Sequence, residues 1–465
     1  MIKLKEKGFI LGVLLLALGL RIHLMTRSLF YDELYIAVHG AQAHSLFEAL
    51  FKTFDPSNHL GYTALVYPTC HLLGIKEWTL RLPALLFGLG SIFLFWQWVR
   101  KYFCVATALL GAILLALAPA HIIWSASARG YSACIFFTIL SSALYFSLLE
   151  KPSLKTAVML TLTNIFASSF HVYFLCVFLA QFLHFLWISI RFFSNHGPSI
   201  KKGSIVNISL SIAGSCLGSL LIYFSVLRGL IFMARDHRAL VPDFPLTLWR
   251  DLWSVPLWPL GLFCLIFMFI GFIHSNNRLL HWRVYVALLF LMVFPIWLSQ
   301  PVYLYPRFFA YLLPFLFLLL ANGIITIVKD STARLRPITI FFIVLAMGTI
   351  IGKWLFLPST IVENFKYKFR ESVQFAENVA SPQTRFCAFG DKDEFFQFYS
   401  HRPVERFKTF EDFKGFYEKQ DQIICFTMSG PPMPQEHKKI FLFILSLPDA
   451  KVKTFDNIMV LDLKA

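Results

Sequence analysis

The stretch Ser28 to Gly40 reads Ser-Leu-Phe-Tyr-Asp-Glu-Leu-Tyr-Ile-Ala-Val-His-Gly and sets two adjacent acids, Asp32 and Glu33, a few residues beyond the first long apolar run of the chain. Carboxylates at a lipid boundary fit two readings. In one they open a helix in a solvated loop, where acids offset the dipole at its N-terminus. In the other a carboxylate is held at the interface as a base for a substrate delivered from the bilayer. Arg129, in Ser-Ala-Ser-Ala-Arg-Gly-Tyr, and Arg307, in Tyr-Leu-Tyr-Pro-Arg-Phe-Phe, each stand where an apolar segment begins. An interfacial arginine alone can simply snorkel to water. A guanidinium fork also makes two charge-assisted bonds to a phosphate, so two arginines beside a carboxylate suit a phosphate-bearing donor and a base. His59, in Ser-Asn-His-Leu-Gly-Tyr, and His171, in Ser-Ser-Phe-His-Val-Tyr, read either as packing histidines or as substrate contacts. Asp55, in Phe-Asp-Pro-Ser-Asn, reads as a turn residue.

The elements that must position these groups are membrane spans. Hydrophobic residues make up 57% of the 465 and charged residues 15%, against roughly 25% charged in soluble domains. Apolar runs of spanning length fall near 8–26, 82–99, 103–122, 131–149, 155–170, 172–190, 204–227, 256–274, 284–300, 306–328 and 337–357, which is eleven spans, with the fifth and sixth readable as one long bent segment. The first run follows Lys3, Lys5 and Lys7 as a signal peptide would, but it lacks a small-x-small cleavage site and reads as a retained helix.

Residues 1–357 carry 27 Lys and Arg against 11 Asp and Glu, whereas residues 358–465 carry 15 of each, so the net charge of +16 lies wholly in the membrane half. That distribution points to the positive-inside bias and anionic headgroups and away from nucleic acid. With a cytoplasmic N-terminus, the inner loops hold fifteen bases beside three acids, Glu6, Glu150 and Asp330. The same orientation puts Asp32, Glu33, Asp55, His59, Arg129, His171 and Arg307 at outer helix ends or in outer loops, which groups them into one polar site. Within the first outer loop, Glu33 to Phe51 and Leu60 to Ile75 read as interfacial helices. A second long outer loop, Arg228 to Val255, is rich in Arg and Trp.

Beyond Pro358 the pattern becomes that of a soluble domain. Strands are expected at 386–389, 422–428 and 458–463, and helices at 394–399, 410–418 and 437–445. The expected fold is therefore mainly α, a polytopic helix bundle over 1–357 with a small α/β domain over 358–465 on the outer face. Eight cysteines are scattered without metal-ligand spacing, and only Cys387 and Cys425 share the C-terminal domain, where a bond between them is one option.

In order, Phe30-Tyr31-Asp32-Glu33, Asn58-His59-Leu60-Gly61-Tyr62, Glu77-Trp78-Thr79-Leu80-Arg81-Leu82-Pro83, Arg129-Gly130-Tyr131 and Pro306-Arg307-Phe308 resemble the membrane glycosyltransferases of the GT-C class. The resemblance is to bacterial relatives of protein O-mannosyltransferases and of the aminoarabinose transferase that modifies lipid A. It implies a bacterial inner-membrane enzyme moving a sugar from a polyprenyl-phosphate donor to a protein, glycolipid or glycan acceptor. By position it implies Asp32 as base with Glu33 beside it, Arg129 and Arg307 as ligands of the donor phosphate, and His59, Tyr62, Tyr131 and His171 on the substrate side. The family usually carries a His-Pro-Pro-like segment where this chain has His59-Leu60-Gly61, which leaves the acceptor side open. No metal is required, since Arg alone can neutralise a lipid phosphate leaving group, although Asp32 and Glu33 could hold a divalent ion. The alternative is a transporter or flippase of lipid-linked substrates, which should show internal repeats and ionisable groups near the midplane. No clear repeat is visible, and the ionisable residues gather at one face.

Overall fold

The computed structural model describes residues 2–52, 58–194, 200–224, 243–253, 260–274, 282–299, 305–332, 334–356, 368–389, 393–428, 435–447 and 450–464. The bundle comprises α1 (Ile2–Ile22), α2 (Tyr31–Ile36), a π-helical turn (Ala37–Ala41), α3 (Leu46–Phe51), α4 (Leu60–Leu73), α5 (Glu77–Tyr102), α6 (Val105–Leu117), α7 (Pro119–Trp124), α8 (Tyr131–Glu150), α9 (Leu154–Phe170), α10 (Phe174–Phe193) and α11 (Lys202–Phe224). It continues with α12 (Phe244–Trp253), α13 (Leu262–Ile273), α14 (Trp282–Leu291), α15 (Val293–Ser299), a 3-10 turn (Pro306–Leu312), α16 (Leu313–Asp330) and α17 (Arg336–Phe356).

Helices α5, α8, α10, α11 and the unit Pro306–Asp330 are each long and apolar enough to cross a bilayer, and further apolar helices are shorter. The chain is an integral, multi-pass membrane protein. Each of the eleven expected spans coincides with a helix or a consecutive pair of helices among the described residues. The fifth and sixth are separate: α9 ends at Phe170, His171 adopts extended backbone, and α10 starts at Phe174. The two stretches expected to be helical in the first long loop are helical, Glu33–Phe51 as α2, the π turn and α3, and Leu60–Ile75 as α4, whereas Asp55 and most of the Arg228–Val255 loop lie outside the described residues.

Helices α13 and α16 meet backbone to backbone at Gly271 and Gly323. A Cβ at Gly323 would collide with the Phe267 carbonyl and one at Gly271 with the Leu319 carbonyl, while Asn322 Nδ2 donates to the Gly271 carbonyl at 2.9 Å. Contact this close lets small residues substitute for the missing hydrophobic drive between helices in lipid. Gly323→Val is therefore expected to lower stability by about 1–3 kcal/mol, the range for overpacking, read as an earlier loss of monodisperse protein on heating in detergent.

The C-terminal part runs α18 (Phe369–Val379), β1 (Arg385–Ala388), α19 (Asp393–Tyr399), β2 (Val404–Arg406), α20 (Phe410–Tyr417), β3 (Gln422–Met428), α21 (Gln435–Ser446), β4 (Lys451–Phe455) and β5 (Ile458–Lys464). Its sheet has the order β2-β1-β3-β5-β4, with β1 parallel to β2 and β3, and β5 antiparallel to β3 and β4. Alternation along β3 divides its side chains: Ile424 and Phe426 join a core that continues through Phe369 and Phe395 to Leu34 and Tyr62 of the bundle loops. Ile423 and Cys425 face a separate core beneath α20 and α21. The sheet domain thus shares a hydrophobic core with the loop that carries Asp32.

Candidate active site

The Asp-Glu pair opens α2, and the two carboxylates do opposite things. Residues adjacent on a helix point about 100° apart, so Asp32 and Glu33 cannot share a partner face. Glu33 is fully buried. Its Oε1 accepts from Arg81 Nε at 2.8 Å and from the Ala128 amide at 2.6 Å, and its Oε2 accepts from Arg81 Nη2 at 2.5 Å and from the Phe30 amide at 3.1 Å. Arg81, also 0% exposed, spends its other donors on the carbonyls of Leu24, Met25, Arg27 and Ser28. This ion pair ties the end of the first span, the start of α5 and the turn before Arg129 into one unit. Its Phe30 bond is the helix-start role of the first reading, and with four acceptors filled Glu33 has no capacity left for a substrate proton. A metal shared by Asp32 and Glu33 would have to displace Arg81.

Asp32 faces the other way. Its Oδ2 lies 3.1 Å from Arg307 Nη2, with both side chains about one-fifth exposed, and its backbone carbonyl accepts a long bond of 3.4 Å from Arg129 Nη1. Arg129 is 3% exposed, and the Nε atoms of both Arg129 and Arg307 are buried without a hydrogen-bond partner. Arg307 also lies over the rings of Tyr305 and Tyr131, at 4.3 and 5.9 Å from their centroids. Arg307 pairs with the Asp32 carboxylate while Arg129 meets only its backbone carbonyl, which leaves the two guanidinium groups with an excess of one positive charge over Asp32 and two buried donors to satisfy.

His59, Tyr131 and His171 form a ring cluster beside the arginines, with centroid separations of 5.1 to 5.6 Å. His59 Nδ1 donates to the Phe170 carbonyl at 2.5 Å, so a neutral ring keeps its Nε2 lone pair; His171 Nδ1 accepts from the Tyr173 amide at 3.2 Å, so its Nε2 carries the proton. Burial and then Arg129 hold His59 well below the ordinary histidine range, and burial with Arg129 and Arg307 brings His171 down to about 3. Both rings are neutral for the same reason that an anion is welcome here. Gly130 makes the cluster possible, because a Cβ there would collide with the Phe170 carbonyl and stand 2.9 Å from His59 Nδ1. The Tyr131 hydroxyl is buried without a partner.

The structure therefore brings Asp32, Arg129, Arg307, His59, Tyr131 and His171 together and does not bring in the other two expected residues. Tyr62 is a correction: it is fully buried and its hydroxyl donates to the Leu80 carbonyl at 2.8 Å, which braces α4 against α5. Glu33 is the second, locked to Arg81. Three partners were missed. Arg81 stands in one of the ordered motifs just before the 82–99 run, where an arginine can equally snorkel to water, so no local signal marks it as the partner of a buried acid. Tyr399 accepts the Leu29 amide at 2.9 Å, and Arg370 reaches the Thr26 carbonyl at 2.9 Å and Glu77 at 3.0 Å. These two come from the C-terminal domain and clamp the segment leading into Asp32, which Arg81 also holds. Among the described residues no three His, Cys, Asp or Glu side chains gather as a metal-binding group.

No family model matches this chain. A 120-residue stretch is 27% identical to the Bacillus subtilis (strain 168) protein named "Putative mannosyltransferase YycA", covering 24% of this chain and 17% of the length of that protein. Among solved structures, ArnT from Cupriavidus metallidurans superposes with a TM-score of 0.61 in the apo state and 0.62 when bound to undecaprenyl phosphate, at 12% identity over 98% of both chains. AglB, the oligosaccharyltransferase of Archaeoglobus fulgidus, was solved with an inhibitory peptide and a dolichol-phosphate; it matches at a TM-score of 0.53 and 11% identity over 91% of this chain and 69% of its own. At these identities the likeness is one of fold: the chain has the fold of ArnT over nearly its whole length.

Proposed function

We propose that this protein is a membrane glycosyltransferase that takes a sugar from a polyprenyl-phosphate donor and passes it to a protein, glycolipid or glycan acceptor on the outer face of the membrane. The observation that carries this reading is the pair of guanidinium groups of Arg129 and Arg307, whose buried Nε donors lack partners and whose joint charge exceeds that of Asp32 by one. A sugar phosphodiester carries one negative charge and acceptor oxygens, which is what such a pair lacks. The solved ArnT and AglB complexes each hold a polyprenyl-type phosphate, a ligand class that fits the same chemistry.

In this scheme the arginines bind the donor phosphate in the ground state and stabilise it as it leaves. Engaging phosphate draws Arg307 away from Asp32 and frees the carboxylate to take the acceptor proton as the acceptor attacks C1. Direct displacement inverts the anomeric centre. His171, with its Nε2 proton, and His59, with its Nε2 lone pair, are placed to hydrogen-bond sugar or acceptor hydroxyls. Glu33 and Arg81 position Asp32 and Arg129 without touching substrate. These groups supply the steps without a metal or organic cofactor.

The test is a transfer assay with purified protein in liposomes. The donors are labelled polyprenyl-phosphate sugars, the mannosyl donor first in view of the YycA match, and cell-envelope extract is the acceptor. The expected result is release of polyprenyl phosphate coupled to label in an acceptor. Arg129→Ala and Arg307→Ala should each raise the donor KM by roughly 10- to 150-fold, the equivalent of losing about 1.5–3 kcal/mol of charge-assisted hydrogen bonding. Wild-type KM in both variants, or passage of intact donor across the bilayer with no transfer, overturns the proposal.

A further inference from the structure

In the C-terminal sheet, Cys387 on β1 and Cys425 on β3 occupy directly paired positions of two parallel strands. Both are fully buried on the face that packs under α20 and α21, among Ile440, Ile444 and Leu461. We propose that Cys387 and Cys425 are joined by a disulfide in the mature protein.

Pairing in register places the two Cα atoms about one inter-strand spacing apart, roughly 4.8 Å, inside the 4.4–6.8 Å window that a disulfide spans. Alternation turns both side chains to the same face, so the Cβ vectors run side by side. The sulfurs stand 2.6 Å apart, whereas non-bonded heavy atoms keep roughly 3.5–4 Å.

Chemically, two S–H bonds break and one Sγ–Sγ bond forms. The two protons and two electrons pass by thiol–disulfide exchange to the disulfide of an envelope dithiol oxidoreductase, which is reduced to its dithiol form. Exchange occurs before β1 and β3 are covered, since the folded pair is closed to solvent. The bond would fasten the strand that leads into α19, and α19 carries the Tyr399 that holds the Leu29 amide. The inference rests on the outer face assigned to the reaction in the proposed function and on the C-terminal domain lying on that face, as the loop charges lead one to expect, and it is independent of the transfer chemistry.

The experiment takes the full-length protein directly from membranes into acid, denatures it, and counts free thiols with a maleimide-polyethylene-glycol reagent before and after reduction. Two fewer of the eight cysteines are expected to react before reduction than after, and the Cys387→Ala/Cys425→Ala double variant should show no such difference. In parallel, Lys419→Cys on the exposed surface is probed in intact cells with a membrane-impermeant maleimide. Equal counts before and after reduction with position 419 labelled overturn the disulfide alone. Equal counts with position 419 protected overturn both the disulfide and the outer location. A two-thiol difference that persists in the double variant assigns the bond to other cysteines and also overturns the inference.

Discussion

Asparagine at position 32 is expected to abolish sugar transfer while leaving the lipid phosphate bound at least as tightly as in the wild type. The amide keeps the size of the carboxylate but cannot take a proton at neutral pH, and general-base contributions run to about 10²–10⁴-fold in rate. Binding should move the other way. Among the described residues Asp32 is the carboxylate that pairs with Arg307, at 3.1 Å, so removing its charge takes the balance of these three groups from one excess positive charge to two. The Asp32–Arg307 link is partly exposed, and exposed pairs contribute only about 0–1 kcal/mol, so the fold should withstand the change. The measurement is kcat against donor KM in the same liposomes: a collapse in kcat with KM unchanged or lower is the expected result. Wild-type kcat would remove Asp32 from the base role.

The neighbouring residue is expected to show the opposite profile. Glu33→Ala leaves the Arg81 guanidinium at 0% exposure with no counter-ion and strips the acceptor from the Phe30 and Ala128 amides. Breaking one side of a buried pair costs about 3–5 kcal/mol, a large share of the margin of most domains. The loss should appear as a markedly lower unfolding temperature in detergent and as poor recovery from membranes. Glu33→Gln, which keeps the shape and part of the hydrogen bonding, should fall between Glu33→Ala and wild type. If Glu33→Ala unfolds at the wild-type temperature while losing activity, the positioning role is wrong and Glu33 belongs with the reacting groups.

The contrast between these two residues marks where sequence reading stops. Asp32, Arg129 and Arg307 could be grouped in advance because each ends or begins an apolar run, and the charge bias of the loops assigns run ends to faces. Contact between residues 32 and 307 then follows from bundle geometry. Which of two adjacent acids faces the site depends on the roughly 100° between them and on where Arg81 lies, and no local pattern carries that. Tyr62 failed in the same way: its place in a His-containing segment was legible, but the direction of its hydroxyl toward Leu80 was not.

In the C-terminal domain β1, β3 and β5, which are short and largely apolar runs, are legible in the sequence at nearly their observed bounds. β2 has three residues, Val404–Arg406, and β4 is the largely exposed edge Lys451–Phe455, so neither shows the period of a half-buried strand. α18 was missed too, and with it Arg370. The clamp on Leu29 by Tyr399 spans 370 positions and arises only because α19 docks on α2 through Tyr31 and Phe395, whose rings meet edge to face at 5.2 Å.

The central claim, that Arg129 and Arg307 together hold a polyprenyl phosphate, is tested most directly by equilibrium binding of undecaprenyl phosphate, without sugar, to the purified protein in detergent. The account predicts saturable binding that is weakened at least tenfold by Arg129→Ala and by Arg307→Ala and is retained or tightened by Asp32→Asn. Equal affinity in the wild type and both arginine variants would contradict it.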